Sequence, residues 1–136
     1  MRIICLFFIF SPFFCVLGQQ SFQLGFYNVE NLFDTVNAPV KMDGEFTPSG
    51  AKYYNTEKYW LKINRIARVI AAMNDWEGVD ALGLAEIENA EVVEDLLDQT
   101  ALKEFGYKYV HYESTDERGI DVAFIYKEEL FDLDTS

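Results

Sequence analysis

The chain has 136 residues, which bounds it to one domain at most. It carries 23 acidic against 11 basic side chains, a formal net charge of −12, so it repels polyanions unless a cation or a local basic patch intervenes. That balance argues against a simple electrostatic clamp on nucleic acid, but not against an enzyme whose bound metal faces a phosphate.

Met1-Arg2 is a short basic start, and Ile3 to Leu17 is almost wholly apolar, broken only by Ser11-Pro12. With the small-residue exit at Val16-Leu17-Gly18, this predicts a signal peptide over residues 1–18 and a mature chain that begins at Gln19. A transmembrane anchor competes, but the run is short for a bilayer and contains a proline. A lipoprotein anchor would need small residues before Cys15, where Phe13-Phe14 stand. The expectation is a secreted or periplasmic protein with no stable membrane anchor after cleavage. Cys5 and Cys15 both lie in the removed segment, so the mature chain has no disulfide, thiolate metal site or cysteine nucleophile. His111 is the single histidine, which excludes a His-rich zinc site within these residues.

Phe22 to Val29 reads as a strand, and Asn28, Glu30 and Asn31 crowd polar groups at its end. Asn37 to Gly50 is an aperiodic loop with Pro39, Asp43-Gly44, Pro48 and Gly50. Its Asp43, Glu45 and Thr47 lack the glycine spacing and closing glutamate of an EF-hand. Asn55-Thr56 offers an N-cap for a helix whose Tyr59, Ile63, Ile66, Ala67, Ile70 and Met73 form one apolar face. Lys58, Lys62, Arg65 and Arg68 lie largely off that face and read as a solvated surface. Asn74 to Gly78 is a turn.

Ala81 to Ala85 is a short apolar run that reads as a buried strand and delivers Glu86 where it leaves the sheet. Two readings of Glu86 stand side by side. Either Glu86 and Glu88 favour the start of the next helix, capped by Asn89, or Glu86 is a carboxylate at the core edge that holds a cation. That next helix places Val92, Val93, Leu96 and Leu97 on one side. Tyr107 to Tyr112 and Ile120 to Tyr126 are strands, separated by the charged turn Glu113 to Gly119, and Leu130 to Ser136 reads as the opening of one more. The order is a layered pattern of strand, helix, strand, helix, strand, strand, with polar clusters at three strand ends.

FYNVENLFD at Phe26 to Asp34, LGLAEIEN at Leu82 to Asn89 and ERGIDVAFIYK at Glu117 to Lys127 together resemble the endonuclease/exonuclease/phosphatase superfamily. These are metal-dependent phosphoesterases with the pancreatic-deoxyribonuclease-like fold. The resemblance implies an α+β fold, a four-layer α/β/β/α sandwich of which residues 19–136 are about the first half. It implies that Asn28 lies beside the metal and scissile phosphate as a catalytic residue. Glu86 matches the ligand of a divalent cation, usually magnesium with manganese or calcium as substitutes, and Glu30 falls where an acid lies near the metal. Arg118, in the loop that enters the last core strand, is a candidate for substrate binding, with a plain surface turn as the equal alternative. Glutamine often precedes the family's metal-binding glutamate, whereas Ala85 stands here.

The Gly-Asp-x-Asn and Ser-Asp-His motifs of the family's second half do not occur in these residues. The expectation is therefore a truncated domain, inactive by itself, with an open sheet edge and an uncovered apolar face. The implied function is a secreted magnesium-dependent phosphodiester hydrolase of nuclease-like type. Its substrate is a phosphodiester, nucleic acid among the options, and no protein partner is expected. The alternative is a secreted acidic interaction or calcium-binding module without catalysis.

Overall fold

The computed structural model describes residues 21–134. The expected signal peptide, residues 1–18, lies outside the described residues. Six regular elements follow the expected order: β1 (Leu24–Leu32), α1 (Thr56–Trp76), β2 (Ala81–Ile87), α2 (Ala90–Asp98), β3 (Tyr107–Tyr112) and β4 (Asp121–Lys127). Short 3₁₀ turns at Gly44–Phe46 and Ala101–Phe105 punctuate the connections. The strands form one sheet in the order β1-β2-β4-β3. β1 and β2 are parallel, joined through α1, and the other pairs are antiparallel. A mixed sheet with helices makes the fold α+β, one α layer and one β layer of the sandwich.

Local chemistry fixes the helices. The Asn55 side chain accepts from the Lys58 amide at 3.0 Å to start α1, and Asn89 accepts from Val92 at 3.0 Å to start α2. The buried face of α1 consists of Tyr59, Ile63, Ile66, Ala67, Ile70 and Ala71. Val92, Val93, Leu96 and Leu97 make the buried face of α2. The Tyr59 hydroxyl donates to Asp95 at 2.6 Å and ties the two helices together. Near its end α1 leaves helical geometry at Met73, and Asn74, Asp75 and Trp76 all take left-handed φ. Gly78 follows with φ +68, where a Cβ would lie 2.5 Å from the Tyr107 hydroxyl, so only glycine fits. That hydroxyl donates to the Val79 carbonyl at 2.6 Å and joins β3 to the start of β2.

The core lies between the helices and one face of the sheet, where Val29, Leu82, Leu84, Ala123 and Ile125 are buried. Each large aliphatic side chain sealed there contributes up to roughly 1.5–3 kcal/mol. β2 is central, as its apolar run suggested, but it is sealed on one face only. On the other face Phe26 lies over Gly83, whose added Cβ would stand 3.2 Å from the ring. Leu24 and Phe26 are 70% and 72% exposed, and Val122 and Phe124 are also exposed on this uncovered apolar face. The strand expected from Leu130 does not form within the described residues. Instead the Leu130 and Phe131 amides both turn back to the Lys127 carbonyl, and Phe131 packs on Phe22. Among the described residues no helix is long and apolar enough to cross a membrane.

Candidate metal and phosphoester site

The site is built where β1 and β2 leave the sheet. Their register runs evenly from Leu24 opposite Ala81 to Asn28 opposite Ala85, then slips to Leu32 opposite Ile87. The slip is accommodated by left-handed residues on both strands: Glu30 (φ 57) and Asn31 (φ 60) on β1, and Glu86 (φ 65) on β2. Such backbone in non-glycine residues costs on the order of 1–3 kcal/mol each and concentrates at functional sites. Here it turns the Asn31 amide onto the Glu86 carboxylate.

Glu86 is thereby gripped at both oxygens. The Asn28 side-chain amide donates to Oε1 at 2.9 Å and the Asn31 backbone N–H donates to Oε2 at 2.9 Å. Asn28 is itself oriented, because its Oδ1 accepts from the Glu30 amide at 2.7 Å and leaves Nδ2 aimed at Glu86. From α1, Lys62 Nζ donates to the carbonyls of Glu30 and Asn31 and locks the bulge. Burial pushes the Lys62 ammonium below its ordinary pKa, and the charges of Glu30 and Glu86 oppose that shift. The arrangement leaves lone pairs on both Glu86 oxygens, since a carboxylate accepts at about four positions.

Glu86 opens onto a cleft of about 420 Å³ lined by Ala85, Ser114, Thr115, Asp116 and the β4 start from Ile120 to Val122. Asp121 is buried beneath it and accepts from the Ser114 amide at 2.6 Å, which shapes the turn. His111 Nε2 stands 3.2 Å from the other Asp121 oxygen, close but poorly aligned for a hydrogen bond. Arg118 lies on the exposed turn, paired with Asp116 through Nη2 at 2.8 Å and Nε at 3.1 Å. Asp116 is held down to about 2 by that pairing, and Arg118 is raised by Asp116 and, more weakly, by Glu86.

Of the residues singled out in the sequence, Asn28 and Glu86 are brought into direct contact. Glu30 sits on the adjoining bulge, exposed, and its charge is felt by Lys62. Arg118 is near enough to feel Glu86 but is engaged with Asp116 and does not line the cleft.

Glu88 differs from its reading as a helix-start acid. It is 8% exposed and accepts from the Asp34 amide at 2.5 Å. Burial pushes its carboxyl up to about 8, with the charges of Asp34 and Asp43 adding to the shift and the Asp34 amide opposing it. Asp43, 2% exposed, lies within hydrogen-bond reach of Glu88, and its Oδ1 has no ordinary donor among the described residues. Asn89 links this cluster to the helix: one end caps α2 and the other donates to Asp34 at 3.2 Å. Nothing in the spacing of Glu88 and Asp43 signals that a loop would bury them together.

Among the described residues no three His, Cys, Asp or Glu side chains converge closely enough to hold an ion by themselves. A magnesium ion asks less of a protein, because it keeps several waters and needs only one or two carboxylates plus substrate phosphate. Glu86, oriented by Asn28 and Asn31, is the carboxylate here that could serve such an ion.

Residues 23–136 match the model of the endonuclease/exonuclease/phosphatase family, and the chain belongs to that family. The domain is of the phosphoric-ester hydrolase type, a class that usually employs divalent cations. No curated protein and no solved structure matches the chain.

Proposed function

We propose that this chain carries the metal-holding part of an exported, magnesium-dependent phosphodiester hydrolase. The observation that supports the reading best is the double grip on Glu86 by Asn28 and by the Asn31 amide of a strained bulge. A carboxylate needed only to start α2 requires neither donor, and α2 already has Asn89 as its cap.

In this reading Glu86 holds the cation, with Glu30 as a further acidic group on the same bulge. Bound there, magnesium supplies Lewis-acid polarisation of the phosphoryl oxygen and stabilises charge on the leaving oxygen. Asn28 fixes the Glu86 carboxylate, and the cleft between Glu86 and the Ser114–Asp116 turn receives the phosphodiester. Arg118 could meet a phosphate only by leaving Asp116, which makes it a substrate contact of second rank. The base that activates water is assigned to second-half motifs of the family, so the present residues alone are expected to be inactive. The uncovered face carrying Phe26 and Phe124 is the surface on which a second sheet of the sandwich packs. Export rests on the apolar leader of residues 1–18.

The experiment is to read the gene beyond codon 136 and assay its whole product on a phosphodiester, with magnesium and with chelator. A continuing frame with the Gly-Asp-x-Asn and Ser-Asp-His motifs and chelator-sensitive hydrolysis, lost in Glu86→Gln, is the expected outcome. A stop codon at that point, with no hydrolysis, would return the chain to a non-catalytic acidic module.

A further inference from the structure

The outer side of α1 contains a groove of about 360 Å³ lined by Arg65, Arg68, Val69, Ala72 and Trp76, away from the Glu86 cleft. Its two arginines are unusual in so acidic a chain. Lys41, Lys52, Lys108, Arg118 and Lys127 are each paired with a carboxylate. Lys58 and Lys62 are engaged by backbone carbonyls. Arg65, Arg68 and Lys103 have neither kind of partner among the described residues, and of these Arg65 and Arg68 line one groove.

The third wall is an indole placed there at a cost in backbone strain. Asn74, Asp75 and Trp76 take φ of 52, 53 and 73, consecutive left-handed residues with no glycine among them. Burial does not repay this, because Trp76 is 67% exposed. The groove therefore presents two cations and an open aromatic face above an apolar floor. Charge selects an anion, and the indole selects one with a flat, stackable body.

We propose that this groove binds single-stranded nucleic acid, with Arg65 and Arg68 on successive phosphates and Trp76 stacked on a base. The inference rests on the reading of Glu86 as a phosphodiester centre and adds to it a binding surface outside the cleft. α1 rises about 1.5 Å per residue, so Arg65 and Arg68 stand roughly 5 and 9 Å along the axis from Lys62. Lys62 touches the Glu86 bulge, so the Arg65 end of the groove lies toward the site and Trp76 closes the far end. Stacking on an aromatic platform beside a basic track is a sequence-tolerant way to hold a single strand. It also answers the objection of net charge, because the repulsive field is interrupted locally on this one face.

The test uses the 136-residue chain and a fluorescein-labelled oligothymidylate of about twelve nucleotides, within the site sizes such tracks occupy. Anisotropy is read in chelator so that magnesium plays no part. Trp76→Ala should weaken binding about 5- to 150-fold, the range for losing one stacked base, while Trp76→Phe retains most of it. R65A/R68A should make the dependence of log affinity on log salt shallower by about 1.4, the value for two single-strand phosphates. An abasic oligomer should lose the Trp76 effect and keep the arginine effect. Wild-type affinity in both variants, no binding by the unmodified chain, or equal binding of an oligoglutamate would each overturn the proposal. Magnesium affinity measured in R65A/R68A should be unchanged. If the unmodified chain fails to bind magnesium, the Glu86 reading fails while the groove result stands by itself.

Discussion

Glu88→Gln separates the buried acid from Glu86, the acid proposed to hold the metal two residues before it. In metal-free buffer the Glu88 carboxyl titrates at about 8 when folded, against 4.5 as its ordinary value. Between those pH values the folded chain retains a proton that the unfolded chain has released. Stability is therefore full below 4.5 and is lost as pH rises through 8. The shift corresponds to a ceiling of roughly 4–5 kcal/mol, at about 1.4 kcal/mol per unit. Glutamine does not titrate, and its geometry suits the site. Its carbonyl can accept from the Asp34 amide as Glu88 does at 2.5 Å, and its amide can donate to the buried Oδ1 of Asp43, which has no donor among the described residues. Thermal unfolding of both proteins from about pH 5 to 9 should give similar midpoints at the acid end, with the variant higher at the alkaline end by on the order of 10 °C. Comparing the two proteins cancels every other titrating group. Parallel curves, with Glu88→Gln less stable throughout, would mean that Glu88 is an ionised acceptor, and the reasoning would be wrong.

Other predictions follow from single contacts. Asn28→Ala removes the donor that orients Glu86 at 2.9 Å and should weaken metal affinity about 10- to 100-fold, read by calorimetry, with folding retained. Tyr107 is raised to about 12 by burial and by Asp80, so its contribution is intact below pH 10 and lost as pH rises through 12. Tyr107→Phe should lower stability by about 1 kcal/mol at neutral pH and flatten the alkaline part of the unfolding curve, as followed by circular dichroism. N-terminal sequencing of protein exported by a bacterial host should begin near Gln19; a membrane-embedded product that keeps Met1 would refute the leader.

Much of the fold was legible because it depends on local signals. Asn55 and Asn89 each announced a helix start, and the apolar spacings from Tyr59 to Ile70 and from Val92 to Leu97 identified the buried faces. β3 was readable to the residue because Tyr107 to Tyr112 alternates. The bulge was not legible, since nothing in VEN at Val29 to Asn31 states that Glu30 and Asn31 turn left-handed; that conformation is imposed by pairing with β2 and by Lys62. Lys62 itself read as surface charge, because a helical wheel cannot show that β1 ends beneath it. Trp76 lay in a stretch read only as a turn, where sequence gives no sign that the indole faces outward beside two arginines. Glu86 was singled out by its place at the end of an apolar strand and again, with Asn28, by motif resemblance; their contact across two strands depends on a parallel register that no local pattern encodes.

The central claim is that the Glu86 carboxylate, held by Asn28 and Asn31, binds a divalent cation. Calorimetric titration of magnesium into the 136-residue chain, Glu86→Gln and Glu88→Gln tests it without requiring catalysis. The account predicts one site in the unmodified chain and in Glu88→Gln. It predicts loss of at least tenfold in affinity, about 1.4 kcal/mol or more, in Glu86→Gln. Equal affinities in all three proteins, or equal losses in both variants, would contradict it and leave Glu86 as an acid that only begins a helix.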